Sequence, residues 1–380
     1  MPCNRTLARQ FGFKKGVGCI DSIHNVRKVI HYFNSKNSTV SIGVVDLKAA
    51  FDKINIYGLL NTLQKRNINV NIINVLENWF TKCFTSTRWG NGRSDYKHLL
   101  SGVRQGGILS PLLFNLFVDY FLIELEKSKL GCFINYACCN SYMYCDDVIM
   151  LSISAHELQM MFNICSTIFN DLDLPINVAK SHCMGIGRRY RAVCAELVLN
   201  DAMISWKQSI QFLGVTIVSD KSFKCCMDDA KKKFYSGVNA ILGRLGTCAD
   251  ASVLLHLINS QCLPNLLYGV TAMRLTAAEL NCLNFAYNCV FCKIFKTTDN
   301  TTILNCQYYS GNLTFTMKYE YQRYNFLKKL INDKTFDKKN KVNEPDVKDF
   351  NRIQVKYNLN SKDSQNLIKL KIWNVFSTLI

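Results

Sequence analysis

The chain has 380 residues, with 46 Lys and Arg against 28 Asp and Glu, a formal net charge of +18. That length is ample for two or three domains with a sizeable core, and the charge favours a polyanionic partner, nucleic acid ahead of an anionic membrane surface. A disulfide-rich secreted fold and a membrane span are both disfavoured: 18 Cys in a chain this long, with no signal-peptide pattern, read as buried apolar residues of a reducing, intracellular compartment, and the most apolar stretch, 108–125, is broken by Pro111, Asn115, Asp119 and Glu124.

Residues 1–40 are basic, and Ile23, Val26, Ile30 and Phe33 predict a helix over 21–33 with Asp21 as its N-cap. The apolar run 42–45 suits a strand buried on both faces, and Asp46 ends it. After a turn, Ile56, Leu59, Leu60 and Leu63 continue at helical spacing. A further helix is predicted over 70–84. A hairpin follows over 86–100, turning at Asn91-Gly92. Ser110 as cap and Pro111 at the first position start a helix to residue 127 that is apolar nearly all round. Before it lies a loop with Gly102, Gly106 and Gly107, whose missing side chains let backbone approach a ligand. Within that loop Gln105 suits a nucleotide and Arg104 a phosphate.

Residues 142–151 read as two short strands turning at the adjacent acids Asp146 and Asp147. A helix over 156–172, a hairpin over 196–204 at Asn200-Asp201 and a strand over 210–218 come next. From residue 228 the pattern is helical, and Met317, Tyr321, Tyr324, Leu327 and Ile331 trace one face. The Lys/Asn/Asp-rich stretch 333–363 is expected to be exposed and partly disordered.

The acids carry the chemistry. Two adjacent carboxylates repel, and one is forced to hold its proton unless a cation keeps both ionised. Mg²⁺ is the simplest choice, because it takes hard oxygen ligands from one or two carboxylates plus substrate phosphates. If the strand ending at Asp46 neighbours the acid hairpin, three carboxylates converge. Two divalent ions roughly 3.5–4 Å apart then serve a phosphoryl displacement. Lys180, after the turn at Pro175, is placed to donate a proton to a leaving pyrophosphate. Other signals are weaker. Cys289 and Cys292, with Cys282 upstream, lack the fourth ligand of a zinc site. Asp228-Asp229 suits the start of a helix.

The ordered set Asp46, Gln105-Gly106 with Ser110-Pro111, Tyr144-x-Asp146-Asp147, Asn177-x-x-Lys180-Ser181 and Phe212-Leu213-Gly214 resembles the palm of reverse transcriptases, and most closely those of non-LTR retrotransposons of the LINE type. Residues 10–16 also resemble that group's segment before the palm. The likeness covers about residues 10–218 and extends faintly to 264–269. It implies an α/β (α+β) polymerase palm over 41–220, with truncated fingers over 1–40, a thumb-like helical region over 221–300 and a basic, partly disordered C-terminal region over 301–380. It also implies RNA-directed DNA synthesis on an RNA template from a DNA primer and dNTPs, with two Mg²⁺ ions, or Mn²⁺ in their place, and no membrane partner.

Position by position, the resemblance makes Asp46, Asp146 and Asp147 the metal-binding acids and the Leu47 carbonyl a backbone ligand. Phe51 becomes the bulky residue that blocks a 2′-hydroxyl. Gln105, Gly106 and Arg104 line the incoming nucleotide, Lys180 is the acid near the triphosphate, and Phe212, Leu213 and Gly214 form the primer grip. Cys145 stands where the group usually has Ala, and Gly107 where Cys or Asp is more common. Almost nothing precedes Gln10, so the chain reads as a truncated copy, with Arg5, Arg9, Lys14 and Lys15 as the remaining triphosphate contacts. Two alternatives stay open: a catalytically inactive relic that folds and binds nucleic acid, and another palm or maturase-like polymerase.

Overall fold

The computed structural model describes residues 7–246, 248–332 and 344–380. The chain divides into two compact units, Met1–Cys225 and Cys226–Ile380. The first is built on a four-stranded antiparallel sheet. Its strands are β1 (Val40–Val45), β2 (Ser141–Tyr144), β3 (Asp147–Ser152) and β4 (His182–Ile186), in the order β4-β1-β3-β2. Every residue of β1 is buried, as its unbroken apolar run requires of a central strand. Side chains alternate between the faces. Val45, Val148 and Met150 join the main core, and Ile42, Val44, Ile149 and Leu151 take the other face. Helix α1 (Cys19–Ser35) contacts β1 and β2, and helix α3 (Ala155–Asp171) contacts β1 and β3. Helix α2 (Ser110–Lys127) packs on α3 and buries Phe114, Phe117, Val118, Phe121 and Leu125 in the main core. That burial explains its nearly uniform apolar surface.

Several local expectations are corrected. Gly18, not Asp21, is the N-cap of α1; Asp21 sits three residues in and accepts the Gly18 N–H at 2.8 Å. Ser110 is already helical, Leu109 is the cap, and the Ser110 hydroxyl donates back to the Arg104 carbonyl at 2.6 Å. In the exposed hairpin Trp89 pairs with Gly92, so the turn is Gly90-Asn91, one residue earlier than predicted. Gly90 takes φ +57° there. Residues 210–218 are not one strand but a hairpin, Ser209–Phe212 with Val215–Val218. Its turn residues Leu213 and Gly214 both have positive φ, 46° and 75°, the backbone of a type I′ turn. Asn200 and Asp201 form the same kind of turn between Leu197–Leu199 and Ala202–Ile204.

The second unit is helical. One core gathers Phe234, Leu266, Tyr287, Phe291 and Phe315, and another Tyr324, Leu327, Phe350, Ile353 and Phe376. Of the stretch expected to be exposed, 333–343 lies outside the described residues, and 344–356 is helix Glu344–Lys356. That helix docks through Phe350, whose ring stacks on Tyr324 at 4.8 Å, and through Ile353. Its Asp346 and Asp349 hold the fully buried Arg323, the latter at 3.0 Å. The polar composition concealed an apolar face of only two residues, Phe350 and Ile353, and a buried ion cluster that needs acids.

Candidate active site

Asp46 leaves β1 one step beyond the Val45–Val148 pair. Extending that register sets Asp46 opposite Asp147 on the same face, at the roughly 4.5–5.5 Å Cα spacing of antiparallel neighbours. Asp147 is the first residue of β3 and pairs with Tyr144, so Cys145 and Asp146 form the two-residue turn between β2 and β3. The three acids therefore meet at one end of the sheet. Their electrostatics agree. Burial, then the charges of Asp146 and Asp46, push the Asp147 carboxyl from 3.8 up to about 6. Asp146 is also raised, by burial first, with Asp46 adding and its own backbone N–H opposing. Among the described residues no three His, Cys, Asp or Glu side chains form a complete metal cluster by themselves. The donor set nonetheless fits a hard divalent ion whose remaining ligands come from phosphates, since two carboxylates suffice for that arrangement.

Asp46 is held on both its main chain and its side chain by the 177–181 turn. Its carbonyl accepts the Asn177 N–H at 2.8 Å, and its Oδ2 accepts from Asn177 Nδ2 at 3.0 Å. Its own N–H donates to Ser181 Oγ at 3.3 Å. Lys180 closes the 3₁₀ turn Val178–Lys180 in the same loop, with its side chain exposed. Leu47 is bridged to Ile176 and its side chain is buried.

The acid turn has a support that sequence reasoning missed. Gln10, fully buried, bridges to Met143, and its Oε1 accepts the backbone N–H groups of Cys145 and Gly12, each at 3.0 Å. Cys145 needs this support, because it carries φ +55° without being glycine. Gly12 must lack a side chain, since a Cβ there would lie 2.5 Å from Cys145 Sγ. Asn115 of α2 donates to the Gly12 carbonyl at 2.7 Å. The sequence signals were the glycine between two Phe residues and the resemblance of residues 10–16 to the segment before the palm, neither of which gave Gln10 this role. Arg9, one of the residues considered for the triphosphate, is instead buried: it donates to Asn140 Oδ1, Ser141 Oγ, the Leu122 carbonyl and Glu126. Lys14 is spent similarly, donating to the Leu7 carbonyl, and burial lowers it to about 8.

Phe51 and the glycine loop come together. The Phe51 carbonyl accepts the Val103 N–H at 2.7 Å and the Ile54 carbonyl the Gly102 N–H at 2.8 Å. The Phe51 ring stacks on Phe114 at 4.8 Å. Gly102 is required by the chain rather than by a ligand, because a Cβ there would meet the Asp52 backbone at 2.7 Å. Gln105 is exposed and donates to Asp52 Oδ2 at 3.2 Å. Arg104 is exposed, and Gly106 has φ +80° with open space around it. The Phe212-Leu213-Gly214 turn is held elsewhere. Ser219, next after the hairpin's second strand, donates to the Gly185 carbonyl of β4 at 2.7 Å. Cys282, Cys289 and Cys292 lie on one helix, Ala277–Phe295, with Lys231 donating to Cys282 Sγ at 3.4 Å.

A four-stranded antiparallel sheet flanked by helices, with acids at the end of its central strand and on the adjoining turn, is the palm of a template-directed polymerase. Residues 2–217, more than half of the chain, match the family described as reverse transcriptase (RNA-dependent DNA polymerase). The chain belongs to that family. It is 27% identical over 190 residues to the retrovirus-related Pol polyprotein from type-2 retrotransposable element R2DM of Drosophila melanogaster, covering 50% of this chain and 18% of that protein. It is 22% identical over 327 residues to the probable RNA-directed DNA polymerase from transposon BS of the same species, covering 80% of this chain and 33% of that protein. Among solved structures, apo telomerase from Candida tropicalis aligns at 13% identity and a TM-score of 0.45, covering 95% of this chain and 54% of that one. The chain spans between 17% and 38% of the length of the curated relatives it matches. Reverse transcriptases generally use divalent metal ions. Among the described residues no helix is long and apolar enough to cross a membrane.

Proposed function

We propose that this chain is an RNA-directed DNA polymerase of a non-LTR retrotransposon, extending a DNA primer on an RNA template with dNTPs. The observation that carries the reading is the register of β1 and β3, which sets Asp46 opposite Asp147 beside Asp146. In the reaction the primer 3′-oxygen bonds the α-phosphorus of the dNTP while the bond to the β-phosphate oxygen breaks. Asp46, Asp146 and Asp147 would hold the Mg²⁺ ions, with the Leu47 carbonyl as a backbone ligand. Bound there, a pair of Mg²⁺ ions supplies the positive charge that keeps the acids ionised and stabilises the attacking and leaving oxygens.

The chain's own residues do the rest. Gln10 and Gly12 fix the acid turn, and Asn177 and Ser181 orient Asp46. Phe51 walls the sugar site against a 2′-hydroxyl. Gln105, Gly106 and Arg104 line the incoming nucleotide. Lys180 protonates the departing pyrophosphate, a general-acid role worth about 10²–10⁴-fold. Phe212, Leu213 and Gly214 grip the primer. The surplus of cationic residues suits a salt-sensitive hold on the template and primer, and the free thiols among the described cysteines suit an intracellular setting.

Primer extension on matched RNA and DNA templates, with Asp146→Asn as control, tests the reading. Extension on RNA that the substitution abolishes supports it. Duplex binding with no extension marks an inactive copy, and extension on DNA alone assigns the palm to a different template.

A further inference from the structure

The helical unit contains a cavity of about 420 Å³, inside the roughly 300–1,000 Å³ range of small-ligand sites. Its walls combine Lys318 and Lys369 with Tyr268, Tyr321 and Trp373. Lys318 comes from helix Phe315–Asn332 and Lys369 from helix Gln365–Ser377. Among the described residues neither ammonium makes a side-chain hydrogen bond or ion pair, and Lys318 contacts only the face of the Tyr287 ring. Both line the same space, and the Lys369 charge disfavours that of Lys318. Burial, with Lys369 adding, lowers Lys318 to about 8. The half-buried Lys318 ammonium, with no carboxylate among the residues lining the cavity, is costly to keep charged unless an anion visits it.

The cavity is also built with fixed walls. Tyr308 stacks on Trp373 at 5.1 Å and 16°, which holds the indole plane while the ring lines the space. The Lys318 ammonium lies 5.3 Å from the centre of the Tyr287 ring. Asn259, another lining residue, accepts the Tyr287 hydroxyl at 3.0 Å and donates to Asn312 Oδ1 at 2.6 Å. Asn259 projects from a π-helical turn, Ile258–Cys262, a distortion of the helical ladder found often at functional sites.

We propose that this cavity binds one nucleotide unit, its base against the Trp373 and Tyr face and its phosphate between Lys318 and Lys369. Aromatic side chains stack on any base, at about 1–3 kcal/mol per base, and Lys is a standard point-charge partner for phosphate. The two features share one cavity, which favours a nucleotide over either a bare anion or an apolar molecule. The site lies in a different unit from the carboxylates and is independent of the polymerase reading.

The test uses the full chain in EDTA, so that the acidic site is without divalent ions, and compares adenosine 5′-monophosphate, inorganic phosphate, adenosine and a dodecamer of oligo(A). Binding is read by tryptophan fluorescence and by the ligand-induced shift of thermal unfolding. Lys318→Met and Lys369→Gln are each expected to weaken nucleotide binding about tenfold, the scale of one charge-assisted contact. Lys318→Met removes a desolvated charge, so its unliganded unfolding midpoint should not fall, and Lys369→Gln is an exposed change that keeps the test open if it does. Weaker binding of phosphate or adenosine than of the monophosphate, with Lys dependence, supports the proposal for a free nucleotide. Binding of the dodecamer alone, with the same Lys dependence, supports it for a nucleotide within a strand. Equal affinity for phosphate and monophosphate, or binding that neither substitution changes, overturns it.

Discussion

Asp147→Asn should stabilise the metal-free protein at neutral pH and at the same time abolish synthesis. The carboxyl is raised from 3.8 to about 6, by burial first and then by Asp146 and Asp46. For an acid whose folded value lies above its unfolded one, the folded state binds the extra proton between those values. Stability therefore falls as pH rises from about 3.8 to about 6, and the whole penalty is present at pH 7.5. The displacement corresponds to about 3 kcal/mol at about 1.36 kcal/mol per pH unit. The side chain is half-buried, and solvent screening reduces this to about 1–2 kcal/mol. Removing the charge should raise the unfolding midpoint of the metal-free chain by on the order of 2–8 °C. The gain should shrink to roughly a third at pH 4.5, where most of the penalty is already absent. Differential scanning calorimetry in EDTA at the two pH values measures it, and millimolar Mg²⁺ should stabilise the wild type but not the variant. A midpoint at pH 7.5 that is unchanged or lower in the variant would show that the three carboxylates do not burden one another as argued.

Phe51→Ala should raise ribonucleotide use relative to deoxynucleotide use by at least about tenfold, the scale on which a pocket wall excludes a small group; an unchanged ratio in single-nucleotide extension removes Phe51 from that role. Arg66→Met should cost about 2–3 kcal/mol in urea unfolding, because it strips the 3.0 Å partner from the buried Asp119 and leaves only the Leu7 N–H and the nearby Lys14. A loss below about 1 kcal/mol would mean that Asp119 is already neutral in the folded chain. Leu213→Asn should relieve about 1 kcal/mol of backbone strain at φ 46°, since Asn tolerates that conformation, while weakening primer extension by removing the apolar side chain that the proposed grip presents to the primer. A lower midpoint together with full extension would contradict both halves.

Much of this fold was legible because its signals are local. A short unbroken apolar run rich in β-branched residues suits a doubly covered strand, and β1 is one. Asp46 at its end and the Asp146-Asp147 turn could be read from neighbouring residues alone, as could the buried helix after Ser110. Turn geometry was less legible: a one-residue slip at Gly90-Asn91 and the Leu213-Gly214 turn depend on which strand residues pair, and pairing is set across the sheet. The helix over 344–356 was missed because its polar residues outnumber the few that dock.

What the linear order of residues determined is the inventory: which acids exist, which strands they end and which glycines flank them. Folding decided the rest, because register and burial are relations between distant segments. Only there does Asp46 face Asp147 a hundred residues away, Gln10 clamp the Cys145 turn, and Lys318 meet Lys369 across a cavity with no carboxylate between them.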